Sequence, residues 1–270
     1  MAGRELTSLR SPRVKAARRL AKRAFRRREN RFLAEGPQAV REALEIPGAL
    51  AELFTTAEAE ARHSELVLAA ERAGAPVLRV SGEVMAELAQ TVTPQGLLAV
   101  CEFVDVPLGK ALETRPRLVT VLAHVRDPGN AGTVLRTADA AGSDAVVFTD
   151  ASVDPYNGKC VRASAGSLFH LPVVVGPRFE ELVGELKRAG LTVIAADGAG
   201  GRTLDETLDQ GLLARPTAWV FGNEAWGLPD EILAHVDEIV RVPIYGRAES
   251  LNLATAAAVC LYASARAQRT

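Results

Sequence analysis

Cysteines and long apolar runs are scarce in this chain of 270 residues. Its three cysteines, Cys101, Cys160 and Cys260, lie far apart, so they match neither a disulfide framework nor the ligand spacing of a zinc site. The first residues carry charges but no apolar core segment, which is not the pattern of a secretory signal. The alanine-rich stretch from Leu251 onward is interrupted by polar residues, so we expect a buried helix there and not a membrane span. These absences predict a reduced, cytoplasmic protein that binds no metal and no membrane.

The composition is that of an ordinary globular protein, with 48% apolar and 24% charged residues, and the length suggests two domains. The net charge of -1 hides an uneven distribution. Residues 1–31 contain 12 Lys and Arg and only two acids, which leaves 20 basic and 31 acidic residues in the other 239. This asymmetry predicts a basic arm for a polyanion, attached to an acidic body.

The basic arm contains the stretch "SPRVKAARRLAKRAFRRRENRF", which predicts one helix that starts after Ser11 and Pro12. Its apolar residues form a narrow stripe at helical spacing, and its other faces are nearly all Arg and Lys. A solvated charged face is the simpler explanation. However, ten net positive charges exceed what solubility requires, and each contact with a phosphate would add to affinity. The candidate polyanion-binding residues are Arg13, Lys15, Arg18, Arg19, Lys22, Arg23, Arg26, Arg27 and Arg28.

Strand and helix patterns alternate after the arm. Residues 32–104 predict a small α/β domain, with one helix expected from Ala57 to Ala73. Residues 105–116, polar and punctuated by Pro and Gly, predict a linker. Residues 117–270 predict βα units on a doubly wound parallel sheet, because several strands are continuous apolar runs.

Three corners of the larger domain, each a loop that leads from a strand into a helix, contain polar side chains. In "HVRDPGNAGTVLRTADAAG", Asn130 stands where a helix N-cap belongs, and Arg136 points away from the apolar face of that helix. In "VFGNEAWGLP", two glycines flank Asn223 and Glu224, which lets the backbone approach a ligand closely. Each corner also has a plain structural explanation, namely a capped helix with a solvated arginine and an ordinary βα turn.

The third corner, "IYGRAESLNLATAAA", places Ser250 and Asn252 before a run of small apolar residues. A helix N-cap at Ser250 would explain the serine without any function. A fourth stretch, "AADGAGGRT" at 195–203, also has glycines after a strand. Its spacing is not that of a phosphate-binding loop, so a surface turn is expected there, with a cofactor loop as the alternative.

Taken in order, the motifs D-P-x-N-x-G-x-x-x-R, F-G-x-E-x-x-G-L and S-L-N-x-x-x-A resemble those of the SpoU–TrmH family of RNA ribose 2′-O-methyltransferases, in the SPOUT superfamily. They lie here at Asp127–Arg136, Phe221–Leu228 and Ser250–Ala256. Upstream, "SPRVKAARRL", "RFLAEGPQAVREAL" and "TPQGLLAV" resemble the family's accessory substrate-binding domain. Trp226 departs from the pattern, since the family more often has a small or basic residue there.

The resemblance implies a fold that spacing alone does not give. It implies an α/β protein with a C-terminal parallel-sheet SPOUT domain, whose last segment forms a deep trefoil knot, and a smaller N-terminal α/β RNA-binding domain. It also implies S-adenosylmethionine as cofactor and a homodimer through the C-terminal domain. The implied catalytic residues are Arg136, Asn130, Glu224, Ser250 and Asn252. The implied cofactor-binding residues are Phe221, Gly222, Asn223, Gly227, Ile244, Leu251 and Leu253.

The implied reaction transfers a methyl group to a ribose 2′-hydroxyl of structured RNA. The accessory domain and the basic arm favour ribosomal RNA of the 23S type as the target, with the arm residues as RNA contacts. Transfer RNA remains an alternative target, and a catalytically inactive RNA-binding protein remains an alternative function. Arginine stays protonated at any working pH, so Arg136 is expected to grip a phosphate and stabilise the developing alkoxide, not to act as a resting base.

Overall fold

A computed structural model describes residues 5–223 and 225–269. The chain forms two compact units. The first unit consists of the chain up to Val104 together with Tyr156–Phe169. The second unit consists of Asp105–Pro155 together with the chain from His170 onward. The sequence predicts one boundary, in the linker, whereas the structure assigns a second, later segment to the first unit.

The α-helices are α1 (Pro12–Arg19), α2 (Arg23–Glu29), α3 (Pro37–Glu45), α4 (Ala57–Arg62), α5 (Ser64–Arg72), α6 (Gly82–Leu88), α7 (Leu108–Leu112), α8 (Pro128–Ala141), α9 (Gly158–Ser164), α10 (Phe179–Arg188), α11 (Leu204–Asp209), α12 (Asp230–Leu233) and α13 (Leu253–Ala267). The strands are β1 (Arg31–Glu35), β2 (Leu50–Thr55), β3 (Val77–Arg79), β4 (Leu97–Glu102), β5 (Leu118–Leu122), β6 (Ala145–Phe148), β7 (Val173–Val175), β8 (Thr192–Ala196), β9 (Arg202–Thr203), β10 (Thr217–Phe221) and β11 (Glu238–Arg241).

The first unit is built on a four-stranded sheet in the order β1-β4-β2-β3. Strand β4 is antiparallel to both of its neighbours, and β2 and β3 are parallel. Val14, Ala17 and Leu20 are buried in the same apolar cluster as Phe54 and Leu98 of the sheet. The basic segment therefore packs into the core of the first unit, whereas the sequence predicts a separate arm at 1–31.

The basic segment forms two helices and not the single helix predicted, because the chain turns between Leu20 and Lys22. The Arg26 side chain is only 2% exposed, and its Nη1 donates hydrogen bonds to the carbonyl oxygens of Leu20 and Ala21, both at 2.9 Å. These bonds satisfy carbonyls that the end of α1 leaves without helical partners. The prediction of Arg26 as an RNA contact is therefore wrong, since its guanidinium holds the turn together.

The second unit is built on a seven-stranded sheet in the order β7-β6-β5-β10-β8-β11-β9, in which every neighbouring pair is parallel. Strands β5 and β10 are buried at every residue, as their apolar sequences predict. Ala218 and Val220 of β10 face an apolar cluster that includes α10. On the same strand, Trp219 donates a 2.8 Å hydrogen bond from Nε1 to Ser264 Oγ of α13. The doubly wound parallel sheet predicted from the sequence is therefore confirmed.

Within the described residues, no helix has the length and apolar character that a bilayer crossing needs. The same part of the chain contains no group of three or more His, Cys, Asp or Glu side chains that could hold a metal ion. All three cysteines are buried. Burial raises the pKa of Cys260 to about 12, so this thiol stays protonated near neutral pH and is not a nucleophile.

Candidate active site

The candidate site lies at the carboxyl ends of strands in the middle of the larger sheet. Loops there leave β8, β10 and β11, which lie side by side with β5 on the far side of β10. In open α/β sheets, ligands bind outside the carboxyl ends of strands, where the strand order reverses. This reversal occurs at β5, because β6 and β7 lie on one side of β5 in the sheet and the later strands β8 and β10 lie on the other side.

These loops enclose an open cleft of about 380 Å³, within the range of roughly 300–1,000 Å³ typical of small-molecule sites. All seven residues that the family resemblance implies for the cofactor line this cleft. The other lining residues are Ala196, Asp197, Gly198, Ala225, Trp226, Val242, Glu249, Ser250 and Ala256. The structure thus brings together positions from three separate loops, and their role in cofactor binding stays a prediction.

The loop after β10 is a tight hairpin. Asn223 and Gly227 exchange two backbone hydrogen bonds of 2.9 Å, and Gly227 has a φ of +68°, which favours glycine. Gly222 has no room for a side chain, since a Cβ there would lie 2.5 Å from the Gly227 carbonyl oxygen. The glycines of this corner are therefore required by the close packing of the hairpin.

Asp197 contributes to the cleft an acidic side chain that is not among the predicted cofactor-binding residues. Its carboxylate accepts hydrogen bonds from the backbone N–H groups of Ala199, at 2.9 Å, and Leu228, at 3.3 Å. The surface turn expected at 195–203 is present, because Gly198 and Ala199 are exposed in a turn closed by a 3.1 Å hydrogen bond from the Gly200 nitrogen to the Asp197 carbonyl oxygen. Asp197 and Gly198 also line the cleft. The available signal was an acidic residue directly after an apolar strand. Gly200 packs instead against the backbone of β11, where a Cβ would lie 2.7 Å from the Arg241 nitrogen.

The charges and apolar groups of the cleft fit S-adenosylmethionine. The lining includes the carboxylates of Asp197 and Glu249 and no Lys or Arg among the described residues, which suits a cationic sulfonium better than the phosphates of a nucleotide. Val242, Ile244 and Leu253 give the cleft apolar surface. This lining argues against a nucleotide-binding enzyme that uses the glycines at 198–201.

A hydrogen bond attaches the loop after β11 to α11. The Tyr245 hydroxyl donates a 2.8 Å hydrogen bond to Asp205 Oδ2, next to Ile244 of the cleft. This bond and the negative charge of Asp205 favour the neutral phenol, so the pKa of Tyr245 lies above its ordinary value. The bond ties an otherwise exposed segment to the start of α11.

Two asparagine side chains join the beginnings of α8 and α13. Asn252 Nδ2 donates a 3.2 Å hydrogen bond to Asn130 Oδ1, and Asn252 Oδ1 accepts one of 2.9 Å from the Ala254 backbone nitrogen. Asn252 is therefore the N-cap of α13, and the expected cap at Ser250 is wrong. Likewise, Asp127 caps α8 by accepting a hydrogen bond from the backbone nitrogen of Asn130, at 2.8 Å, so Asn130 is not the cap.

Two further predicted catalytic residues, Arg136 and Ser250, belong to the described part of the chain. Arg136 is exposed on α8, away from the buried face formed by Val134, Leu135 and Ala138, as the sequence predicts. Ser250 is exposed and lines the cleft two residues before Asn252. Glu224 lies outside the described residues.

Apart from the buried Arg26, the basic side chains of α1, α2 and the turn between them divide into two groups. Arg13, Arg18 and Arg28 form ion pairs with Glu52, Glu87 and Glu29, at 2.9, 2.7 and 2.7 Å. The exposed residues that form no ion pair within the part of the chain that the structure describes are Lys15, Arg19, Lys22, Arg23 and Arg27. Arg19 and Arg28 lie over the ring of Phe25, at 5.6 and 4.6 Å from its centroid. This surface keeps a positive excess that suits a phosphate backbone.

Two family models match the chain. The SpoU rRNA Methylase family model matches residues 117–262, which contain all three corners. The MRM3-like substrate binding domain model matches residues 11–99, which include α1 and α2.

Full-length relatives and solved structures agree with these matches. The 23S rRNA (guanosine(2553)-2'-O)-methyltransferase RlmP of Bacillus subtilis (strain 168) is 36% identical over 96% of this chain and 98% of its own length. A 23S rRNA (guanosine-2'-O-)-methyltransferase RlmB of Bordetella pertussis is 33% identical over 82% of this chain and 90% of its own. The crystal structure of an AdoMet-bound rRNA methyltransferase from Sinorhizobium meliloti has a TM-score of 0.83 at 30% identity and covers 97% of both chains.

Proposed function

Because this chain belongs to the SpoU rRNA methylase family, we propose that it methylates the ribose 2′-hydroxyl of a nucleotide in 23S-type ribosomal RNA, using S-adenosylmethionine. The observation that carries the proposal is the Asn130–Asn252 hydrogen bond, which joins two motif corners at the start of the helix that borders the cleft. The names of the two relatives specify guanosine, and we propose the same class of nucleotide for this chain.

The protein's part in the reaction is mainly positioning. When bound, S-adenosylmethionine supplies a methyl group already activated by the sulfonium. The ribose hydroxyl is a weak acid and a poor nucleophile, so it must be held in line and helped to lose its proton. We propose that Asn130 and Asn252 orient the ribose, with Ser250 as a hydrogen-bonding neighbour.

Arg136 is proposed to act on the charge that develops at the 2′-oxygen. Its exposed, permanently charged guanidinium has a fork of donors that matches a phosphate. It would grip the phosphate next to the target ribose and stabilise the alkoxide, while that phosphate accepts the proton.

Three features implied by the resemblance remain proposals, namely the trefoil knot, the homodimer and a cytoplasmic location. The knot is supported by the order of the sheet, in which the late strand β10 lies between β5 and β8. The dimer is supported by Val259 and Tyr262 of α13, which are 40% and 53% exposed. Apolar side chains of this size on a helix surface suit a second apolar surface.

The proposed function is tested with unmodified transcripts of 23S rRNA and of transfer RNA. The purified protein is incubated with each transcript and methyl-labelled cofactor, and the product is mapped by alkaline hydrolysis, since a 2′-O-methyl group blocks cleavage at that position. We expect one protected linkage in the ribosomal transcript. Methylation of transfer RNA alone would correct the target, and cofactor binding without any transfer would support the inactive RNA-binding alternative.

In the same assay, Arg136→Ala should lower methyl transfer by ~100-fold or more, because one preorganised donor to a developing oxyanion is worth about that much. The arginine lies off the apolar face of α8, so folding and cofactor binding should be unchanged. Arg188→Ala is the matched control, since Arg188 is exposed on α10. Activity of Arg136→Ala within tenfold of the parent would remove Arg136 from the centre of the mechanism.

A further inference from the structure

Trp226 is an exposed indole at the rim of the cleft. Its side chain is 52% exposed, whereas Trp219, the other tryptophan in the chain, is fully buried in the core. Exposed tryptophan at a site usually marks a contact surface, because the ring offers a large apolar area at a small loss of side-chain entropy. Trp226 lines the cleft but belongs neither to the asparagine pair nor to the predicted cofactor-binding residues.

The surrounding loop holds the indole in place. The hairpin of Asn223 and Gly227 fixes the backbone on both sides of Trp226, and Asn223 Nδ2 donates a 3.3 Å hydrogen bond to the His124 carbonyl oxygen. The His124 imidazole meets the Trp226 ring edge to face, with 5.7 Å between centroids and an interplanar angle of 76°. An edge-to-face neighbour supports a ring from one side and leaves a face open for stacking.

His124 and Trp226 follow two neighbouring strands, next to parts of the proposed active site. His124 follows β5 and precedes Asp127, the cap of the helix that carries Asn130 and Arg136. Trp226 follows β10, the neighbouring strand. His124 also has a φ of +60°, a left-handed conformation that side-chain-bearing residues seldom adopt and that persists only where its surroundings hold it. The pair thus lies at the junction of the cleft and the α8 corner.

We infer that the open face of Trp226 stacks on an unpaired nucleobase of the RNA, next to the ribose that is methylated, with His124 as a brace behind the indole. The inference rests on the proposed methyl transfer, since an RNA ribose must reach this site. RNA-binding proteins commonly take up unstacked bases on aromatic side chains. The neighbours of Trp226 at 225 and 227 are Ala and Gly, which offer no side-chain hydrogen bonds to base edges. The contact should therefore position a base with little preference for its identity.

Steady-state kinetics separate this contact from a contact with the cofactor. Trp226→Ala should raise KM for RNA by roughly 10- to 100-fold, the range set by stacking of one base on an aromatic ring. The dissociation constant for S-adenosylmethionine should stay within about twofold, and Trp226→Phe should keep most of the RNA affinity. Val175→Ala, which shortens an exposed apolar side chain on β7, the outermost strand of the larger sheet, is the control and should change neither constant.

Fluorescence gives a second readout that does not need turnover. Single-stranded oligoribonucleotides should quench the tryptophan emission of the parent. The Trp226→Phe variant, which retains only the buried Trp219, should show little quenching.

Tryptophan emission that RNA leaves unchanged would overturn the inference. So would a weaker affinity for S-adenosylmethionine in Trp226→Ala with an unchanged KM for RNA, because the indole would then cover the cofactor. Quenching without methyl transfer by the parent would instead overturn the proposed function and leave the stacking intact.

Discussion

At the residue scale, Asn252 performs two separable tasks. Its Oδ1 caps α13, and its Nδ2 donates to Asn130. An aspartate keeps the capping acceptor and suits the positive end of the helix dipole, but it loses the donor. The two tasks can therefore be tested apart at one position.

We expect Asn252→Asp to keep the thermal stability of the parent while it loses most methyl transfer. Asn252→Ala should lose activity and also about 1 kcal/mol of stability, because the cap is gone. Thermal unfolding and methyl transfer measured on both variants check this. Equal activity of Asn252→Asp and the parent would leave Asn252 with a capping role only.

Substitution of Gly222 tests whether cofactor binding in the cleft depends on the close packing of the hairpin after β10. A methyl group there would meet the Gly227 carbonyl at 2.5 Å and the Leu228 side chain at 2.7 Å, so the loop must move. We expect Gly222→Ala to weaken cofactor binding by ~10-fold or more, equivalent to about 1.4 kcal/mol. Gly198→Ala is the control, because Gly198 also lines the cleft but a methyl group added to it would have no neighbour within 4 Å. Calorimetric titration measures the cofactor affinity of both variants. Equal affinities would show that the hairpin tolerates the movement that the added methyl group causes.

Some residues of the cleft could be predicted from the sequence, and others could not. The order of the motifs, and the family resemblance that they carry, were sufficient to predict that Phe221, Ile244 and Leu253 lie at one site. The loop that contains Asp197 was given a cofactor role only as the alternative, because nothing in the sequence says that β8 lies between β10 and β11, where this loop borders the cleft. Asn130 and Ser250 were taken as caps because cap preferences are shared by Asn, Asp and Ser, and only the geometry selects Asp127 and Asn252.

At the element scale, the pair α1 and α2 combines a packing role with a charged surface. Apolar periodicity and charge were sufficient to predict a basic helix, but not the turn that divides it, because that turn depends on the hydrogen bonds of a buried arginine. Similarly, one helix was predicted from Ala57 to Ala73, whereas the chain forms α4 and α5 with a break at His63. Helix interruptions of this kind are set by tertiary contacts, which local propensity does not contain.

Two neighbouring arginines of α2 should therefore respond in opposite ways. Arg26→Ala should lower stability by about 1–3 kcal/mol, because two carbonyls near the end of α1 lose their donor. Arg27 is exposed, so Arg27→Ala should change the free energy of unfolding by no more than about 0.5 kcal/mol. It should reduce the slope of log K for RNA binding against log salt concentration by about 1. Chemical denaturation and binding titrations at several salt concentrations check both. An unchanged salt slope would show that α2 is not an RNA contact.

At the scale of the whole molecule, the exposed face of α13 tests the proposed dimer. Val259→Glu should shift the protein from dimer to monomer and lower methyl transfer together, because the same helix begins at the Asn252 corner of the cleft. Val175→Glu places the same charge on another valine of the second unit, which is 37% exposed on β7, and should change neither property. Light scattering and the methyl-transfer assay provide the readouts. A parent that is monomeric and fully active at micromolar concentration would contradict the dimer.

The position of β10 in the sheet also has a consequence for synthesis on the ribosome. Strands β5 and β8 are not neighbours, and the strand that fills the space between them comes later in the chain than both. At about 5–20 residues per second, the stretch from Leu122 to Thr217 takes roughly 5–20 s to emerge. During that interval the nascent chain carries an apolar parallel strand with an open edge, a state prone to wrong pairing. Any product truncated before Thr217 keeps these edges open permanently, so it should be a substrate for chaperones or proteases and never a smaller folded enzyme.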